Sequence, residues 1–134
     1  MEEATPVQVL VVDDQAPFRF AARNVLRLTA GFELAGEAST GEEGVAMAAQ
    51  LRPDLVLMDI NMPGINGIEA TRRLLVDAPE TVVFLCSTYS LADLPPDAPS
   101  SGAVAYVNKE AMGPAVLRRL WDERAEPREG LATA

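Results

Sequence analysis

Acidic, hydroxyl and basic side chains recur where short apolar runs of this chain end. They are the pair Asp13 and Asp14, the single Asp59, Ser87 followed by Thr88, and Lys109. The runs are VQVLVVDD, DLVLMD, VVFLCST and AVAYVNK. Lys109 is the only lysine among 11 basic residues; the others are arginine. An ammonium is a compact charge on a flexible stem and a guanidinium a wide planar fork. A tight site around one small anionic group therefore calls for lysine. Three carboxylates held together raise one another's pKa and oppose folding, unless a divalent cation sits among them. Carboxylate oxygens with waters and a phosphate oxygen make a typical Mg²⁺ site. A carboxylate beside such a cation can attack a phosphoryl donor and become an acyl phosphate. The cation and an ammonium then neutralise charge on the transferred group, and a nearby hydroxyl bonds one of its oxygens. Singly, each acid reads as a solvated loop residue, and Asp14 as a helix cap. The whole set, arriving at successive strand ends, argues for a site.

The positioning elements follow from periodicity. The four runs are of strand length and nearly continuously apolar, as strands covered on both faces are. FELAGEA (Phe32–Ala38) is a weaker strand between the first two. Phe18, Ala21, Ala22, Val25, Leu26 and Thr29 follow helical spacing, and Gly31 stops that helix. Thr40 and Glu43 form a capping box for a helix through Leu51, ended by Pro53. A third helix is expected over Gly67–Asp77, burying Ile68, Thr71 and Leu75. Pro114 suits the first turn of a last helix, with Leu117, Leu120 and Trp121 on one face. Pro95, Pro96 and Pro99 allow at most a short helical turn between the fourth and fifth strands. Five strands alternating with helices imply a doubly wound parallel sheet, whose ligand site lies beyond the carboxyl ends of the strands. The expected division is an N-terminal extension at 1–6, one domain at 7–125 and a frayed polar tail at 126–134.

Composition narrows the function. A net charge of −9 in 134 residues and a pI near 4.4 argue against direct binding to nucleic acid or an anionic membrane. No apolar run reaches the roughly 18 residues that span a bilayer. One cysteine, Cys86, excludes an intramolecular disulfide and suits a reducing cytoplasm. The absence of histidine removes His-based catalysis and His-ligated metal sites.

VLVVDDQ, PDLVLMDINMPGINGIEA, LCST and AYVNK, in this order and with 28 residues from Asp59 to Ser87 and 22 from Ser87 to Lys109, resemble the receiver domain of bacterial two-component response regulators. The stretch MDINMPGINGIEATRRL is most similar to receivers of the LuxR/NarL type. The resemblance implies a flavodoxin-like fold with strand order 2-1-3-4-5, in which the prolines of this chain leave the fourth helix short or irregular. It implies that Asp59 accepts a phosphoryl group from a sensor histidine kinase, with Mg²⁺ as cofactor. Asp14 would ligate the ion directly, Asp13 largely through water, and Asn61 through its backbone carbonyl. Ser87 would reorient to bind the phosphoryl oxygen, Lys109 would pair with it, and Tyr106 would be the switch aromatic, moving inward as Ser87 moves. A one-residue slip to Thr88 stays open. The implied output is altered affinity for an unidentified downstream protein, with homodimerisation open.

Three departures stand out. Glu110 follows Lys109 where many receivers have proline. The helix before the fifth strand is nearly written out by prolines. No DNA-binding segment follows within the 134 residues; if these are the full natural protein a stand-alone receiver is expected, and a piece of a longer chain would read the same. Two other readings compete: a phosphorylation-independent interaction module, favoured by the degraded fourth helix, and an aspartyl-phosphate phosphatase, disfavoured by Asn61 where those enzymes carry a second acid. A nucleotide or flavin site lacks a Gly-rich loop after the first strand. Tyr89, just past the hydroxyl, stands where it could gate water at an acyl phosphate. Trp121, Met58 and Met62 read as packing residues, Tyr106 equally as a half-buried strand residue, and Gly64 and Gly67 as turn residues with Gly67 a candidate for positive φ.

Overall fold

The computed structural model describes residues 5–134; the extension expected at 1–6 lies mostly outside them. Six strands form one parallel sheet in the order β2-β1-β3-β4-β5-β6. They are β1 (Val7–Val12), β2 (Phe32–Ala38), β3 (Leu55–Asp59), β4 (Val82–Ser87), β5 (Ala105–Asn108) and β6 (Ala132–Thr133). The helices are α1 (Ala16–Leu28), α2 (Gly41–Leu51), α3 (Gly67–Asp77) and α4 (Pro114–Asp122). This is the doubly wound flavodoxin-like architecture the alternating pattern implies, extended by one strand.

Alternate residues of each strand feed two separate cores, because successive side chains point to opposite sheet faces. Leu10, Val12, Val56, Met58, Val83 and Leu85 pack under α2 and α3. Val9, Val11, Leu55, Leu57, Phe84 and Val107 pack under α1 and α4. The third helix spans the residues its periodicity predicts, capped by Asn66 Oδ1, which accepts from Glu69 N. At α2, Thr40 Oγ1 accepts from Glu43 N at 3.0 Å, while the Glu43 carboxylate reaches back to Ser39 N at 2.9 Å, one residue beyond a standard capping box. In α1 the structure buries Ala22 and Leu26 but leaves Ala21 exposed, at the margin of the apolar stripe.

One edge of the sheet holds an expectation that is met and one that is not. As the prolines imply, the connection from β4 to β5 holds only two single 3₁₀ turns, Leu91–Asp93 and Ala98–Ser100, separated by Pro95 and Pro96. It still closes over the sheet through Ala98, Ala103 and half-buried Leu94. The difference is the tail. Residues 126–134, expected to fray, return along β5, and Ala132–Thr133 pair in parallel with Ala105 and Tyr106. Composition concealed this strand because it is only two residues long. Backbone hydrogen bonds to β5, which require no apolar run, hold it in place together with the buried Ala132.

Candidate functional site

The carboxyl ends of β1, β3, β4 and β5 converge. Val12 pairs with Met58, so the next residues, Asp13 and Asp59, stand side by side. Ser87 ends β4 and is buried, while Thr88 is exposed beyond the strand; burial singles out Ser87 as the inward hydroxyl. Lys109 follows β5 directly. The helix-capping role open to Asp14 is not taken: Gln15 occupies the N-cap of α1, Asp14 is exposed, and Pro17 sits in the first turn.

One carboxylate oxygen from each of Asp13, Asp14 and Asp59 lies within 4.8 Å of the others. Lys109 Nζ is 2.7 Å from Asp13 Oδ2 and 3.3 Å from Asp59 Oδ1. The ammonium is nearly buried, with 9% of its side chain exposed. Two residues that spacing did not single out hold it there: Gln15 Oε1 accepts from Nζ at 3.3 Å, and the Phe18 ring lies 4.7 Å away. Phe18 was legible only as a core position of α1, and a cation over an aromatic face leaves no mark in sequence spacing.

Electrostatics in the cluster are unbalanced. Burial, and then the charge of Asp13, push the Asp59 carboxyl up from 3.8 to about 7, against the opposing pull of Lys109. Burial alone would lower the Lys109 pKa, but its hydrogen bond to Asp13 and the charges of Asp59 and Asp13 hold it above the ordinary lysine range. Asp13 Oδ1 accepts from Gln15 N at 2.8 Å. Its Oδ2 is buried, and its close partner is the Lys109 ammonium at 2.7 Å. One ammonium faces three carboxyl groups, and an all-oxygen donor set with that excess of acid fits a hard divalent cation. Nothing in the described hydrogen-bond network engages the Asn61 carbonyl, whereas the Asn61 amide donates to Tyr89 Oη at 2.7 Å.

Ser87 Oγ faces Tyr106. It lies 2.9 Å from Tyr106 Oη and accepts from Tyr89 N at 3.1 Å. Tyr106 Oη also sits 2.5 Å from Tyr89 O and 3.1 Å from Ser87 O. Burial raises the Tyr106 pKa, so this phenol is a neutral donor. The ring is 1% exposed. The ring of Tyr106 thus already sits inward in this structure.

The approach of α3 to the site explains Gly67. A Cβ there would meet the Asp59 carbonyl oxygen at 1.9 Å, and Gly67 N donates to Ile60 O at 2.8 Å. Close backbone approach, rather than positive φ, fixes this glycine; the positive angle in the loop belongs to Gly64, at φ 80°.

The chain belongs to the response regulator receiver domain family, matched over residues 9–120. Response regulator GacA of Pseudomonas viridiflava is 39% identical over 105 residues, 78% of this chain and 49% of GacA. The chain thus spans about half the length of the curated GacA relatives it matches. The response regulator domain of Thermotoga maritima CheB is 28% identical, with a TM-score of 0.80 over 92% of this chain and 99% of that one. A chain of the Borrelia burgdorferi CheX–CheY complex with BeF3 and Mg²⁺ is 27% identical, with a TM-score of 0.75 over 88% and 89%. Receiver domains are signalling modules of two-component systems, and the acidic cluster of this chain is consistent with that role. Among the described residues, no helix is long and apolar enough to cross a membrane.

Proposed function

We propose that residues 7–125 act as a cytoplasmic phosphoacceptor receiver, taking a phosphoryl group from a sensor histidine kinase onto Asp59. The observation that carries this is the convergence of three carboxylates, two of which, Asp13 and Asp59, contact one nearly buried ammonium. Asp13, Asp14, Asp59 and the Asn61 carbonyl would hold Mg²⁺. Bound there, the ion would offset charge on the cluster and on the incoming phosphoryl oxygens. An Asp59 carboxylate oxygen attacks phosphorus, the bond to the donor breaks, and an acyl phosphate remains on Asp59. Lys109 Nζ, already 3.3 Å from Asp59 Oδ1, meets a phosphoryl oxygen. Ser87 gives up Tyr106 to donate to another. The product adds about −1.5 to −2 of charge, which biases the loops after β3 and β4 and alters affinity for a downstream protein. The chain would catalyse only its own phosphorylation and dephosphorylation. Its acidity speaks against nucleic acid as the direct partner.

Intact mass after incubation with acetyl phosphate and Mg²⁺ tests this on wild type and Asp59→Asn. A single phosphoryl adduct is expected in the first, dependent on Mg²⁺, and none in the second. A second reading, a phosphorylation-independent interaction module, draws on the rebuilt β4–β5 connection and on a Tyr106 that is already inward. It predicts no adduct at any time point despite measurable Mg²⁺ binding.

A further inference from the structure

The outer edge of β5 carries an occupant from the chain itself. Ala132 N donates to Val104 O at 3.0 Å, Ala134 N to Tyr106 O at 3.0 Å, and Asn108 N to Ala134 O at 2.7 Å. Arg119 on α4 donates to Thr133 O at 3.1 Å. Side chains alternate as in any strand. Leu131 packs against the core that contains Ala98, Ala103 and Tyr106; Ala132 and Ala134 face the opposite core; Thr133 is exposed.

This occupant is lightly attached. Only two residues are paired as strand. The segment leading to them, 124–130, is exposed throughout and includes Gly130 at φ 72°. It borders a cleft of about 270 Å³ lined by Val104, Arg124, Pro127 and Gly130. A two-residue strand with small side chains opens at lower free energy than the central strands.

The two β5 residues that hold the tail also hold the loop after β4. Tyr106 accepts from Ala134 through its carbonyl while its hydroxyl contacts Ser87 and Tyr89. Asn108 donates its backbone N–H to Ala134 O and its side-chain amide to Tyr89 O at 3.1 Å. Whatever moves Ser87 and Tyr89 acts on both anchors of the tail.

We propose that the outer edge of β5 is a strand-accepting surface for an extended segment of a partner protein, with residues 131–134 as its displaceable resident. The chemistry of the resident defines the partner: a branched apolar residue, a small one, any residue, then a small one, with backbone groups free to extend the sheet. Control of the exchange by Asp59 rests on the phosphoacceptor reading; the strand-accepting edge does not.

The test uses the full chain carrying Ala132→Pro, which removes the N–H donated to Val104 O, and the peptide of residues 128–134 as probe. Amide exchange and chemical shifts of Tyr106 and Asn108 are read by NMR. The variant should exchange Asn108 N–H at least tenfold faster, with β1 and β3 amides unchanged. The peptide should shift Tyr106 and Asn108 in the variant at a concentration at least tenfold below that needed in wild type, whose own tail competes at high effective concentration. A peptide with aspartate in place of its leucine should not bind. Unchanged Asn108 protection in the variant, or an open edge that ignores the peptide, overturns the proposal. Concentration-dependent dimerisation of wild type through exchanged tails, without peptide binding, overturns the partner in favour of a second copy. The linkage to Asp59 is read in wild type with acetyl phosphate and Mg²⁺, adduct formation being followed by mass. An adduct with faster Asn108 exchange supports the linkage, and an adduct with unchanged exchange overturns it. No adduct is a failure of the phosphoacceptor reading alone, and the Ala132→Pro arm still decides the edge.

Discussion

The β1–β3 half of the sheet's carboxyl edge and the β4–β5 half meet at the same site but are built by different rules. In the first half, Asp13 and Asp59 stand at the ends of paired strands, and α3 touches the Asp59 backbone through Gly67. In the second, two 3₁₀ turns stand in for a helix and a two-residue strand is added at the rim. Chemistry requires particular atoms at particular places, so the first half tolerates little variation. Signal readout needs only a surface that responds, and many surfaces can do that.

Glycine substitutions should separate the halves most sharply. Gly67→Ala drives a Cβ into the Asp59 carbonyl, which is backbone and cannot swing aside. It should destabilise the fold by about 3 kcal/mol, the upper end for overpacking, and slow phosphoryl uptake by displacing Asp59. Gly102→Ala, in the β4–β5 connection, meets only the flexible end of Leu75 but sits at φ 100°. Backbone strain there should cost about 1–2 kcal/mol and leave uptake intact. Urea denaturation and intact mass on both variants give the comparison. Equal losses of uptake would show the two halves to be equally constrained.

A buried acid cluster also leaves a signature in pH. Asp59 holds its proton up to about pH 7 in the folded chain but only to about 3.8 when unfolded. Between those values the folded state binds more protons, so stability falls as pH rises. With partial solvent screening the loss is about 1–2 kcal/mol. In chelator-treated protein, the difference between wild type and Asp59→Asn should therefore change by that amount from pH 4 to pH 8, the variant being the more stable at pH 8. Saturating Mg²⁺ should shrink the difference. A flat difference would mean that the cluster is relaxed without an ion.

The contrast between the halves also marks what could be read from the sequence. Asp13, Asp14, Asp59, Ser87 and Lys109 were visible because each ends an apolar run, and run endings survive translation into strand ends. The span of α3 was visible because Ile68 and Thr71 mark a buried helical face, although the structure buries Leu74 and leaves Leu75, the expected core residue, only half-buried. Gln15 and Phe18 were not visible as partners of Lys109, because their contacts cross more than 90 residues and depend on the rotation of α1. The inward pose of Tyr106 was hidden for a related reason: Tyr89 O, which anchors its hydroxyl, is a backbone atom that every residue type supplies. For the same reason β6, held by backbone groups to β5, left no pattern.

The smallest effect tests whether the β4–β5 connection is a tethered structure or a loose loop. Ser101 is buried, donates to Ala98 O at 2.7 Å and accepts from Ala103 N at 3.2 Å. It thereby ties the second 3₁₀ turn to the start of β5. Ser101→Ala removes both bonds and leaves the Ala103 N–H without a partner, which costs about 1 kcal/mol. If the connection behaves as a unit, that loss should appear as faster amide exchange from Ala98 to Val104 with β1 and β3 unaffected, and with phosphoryl uptake unchanged. A loss spread evenly over the sheet would mean instead that the proline-broken connection is as integral to the fold as Gly67. The difference in construction between the two halves would then carry no difference in mechanical independence.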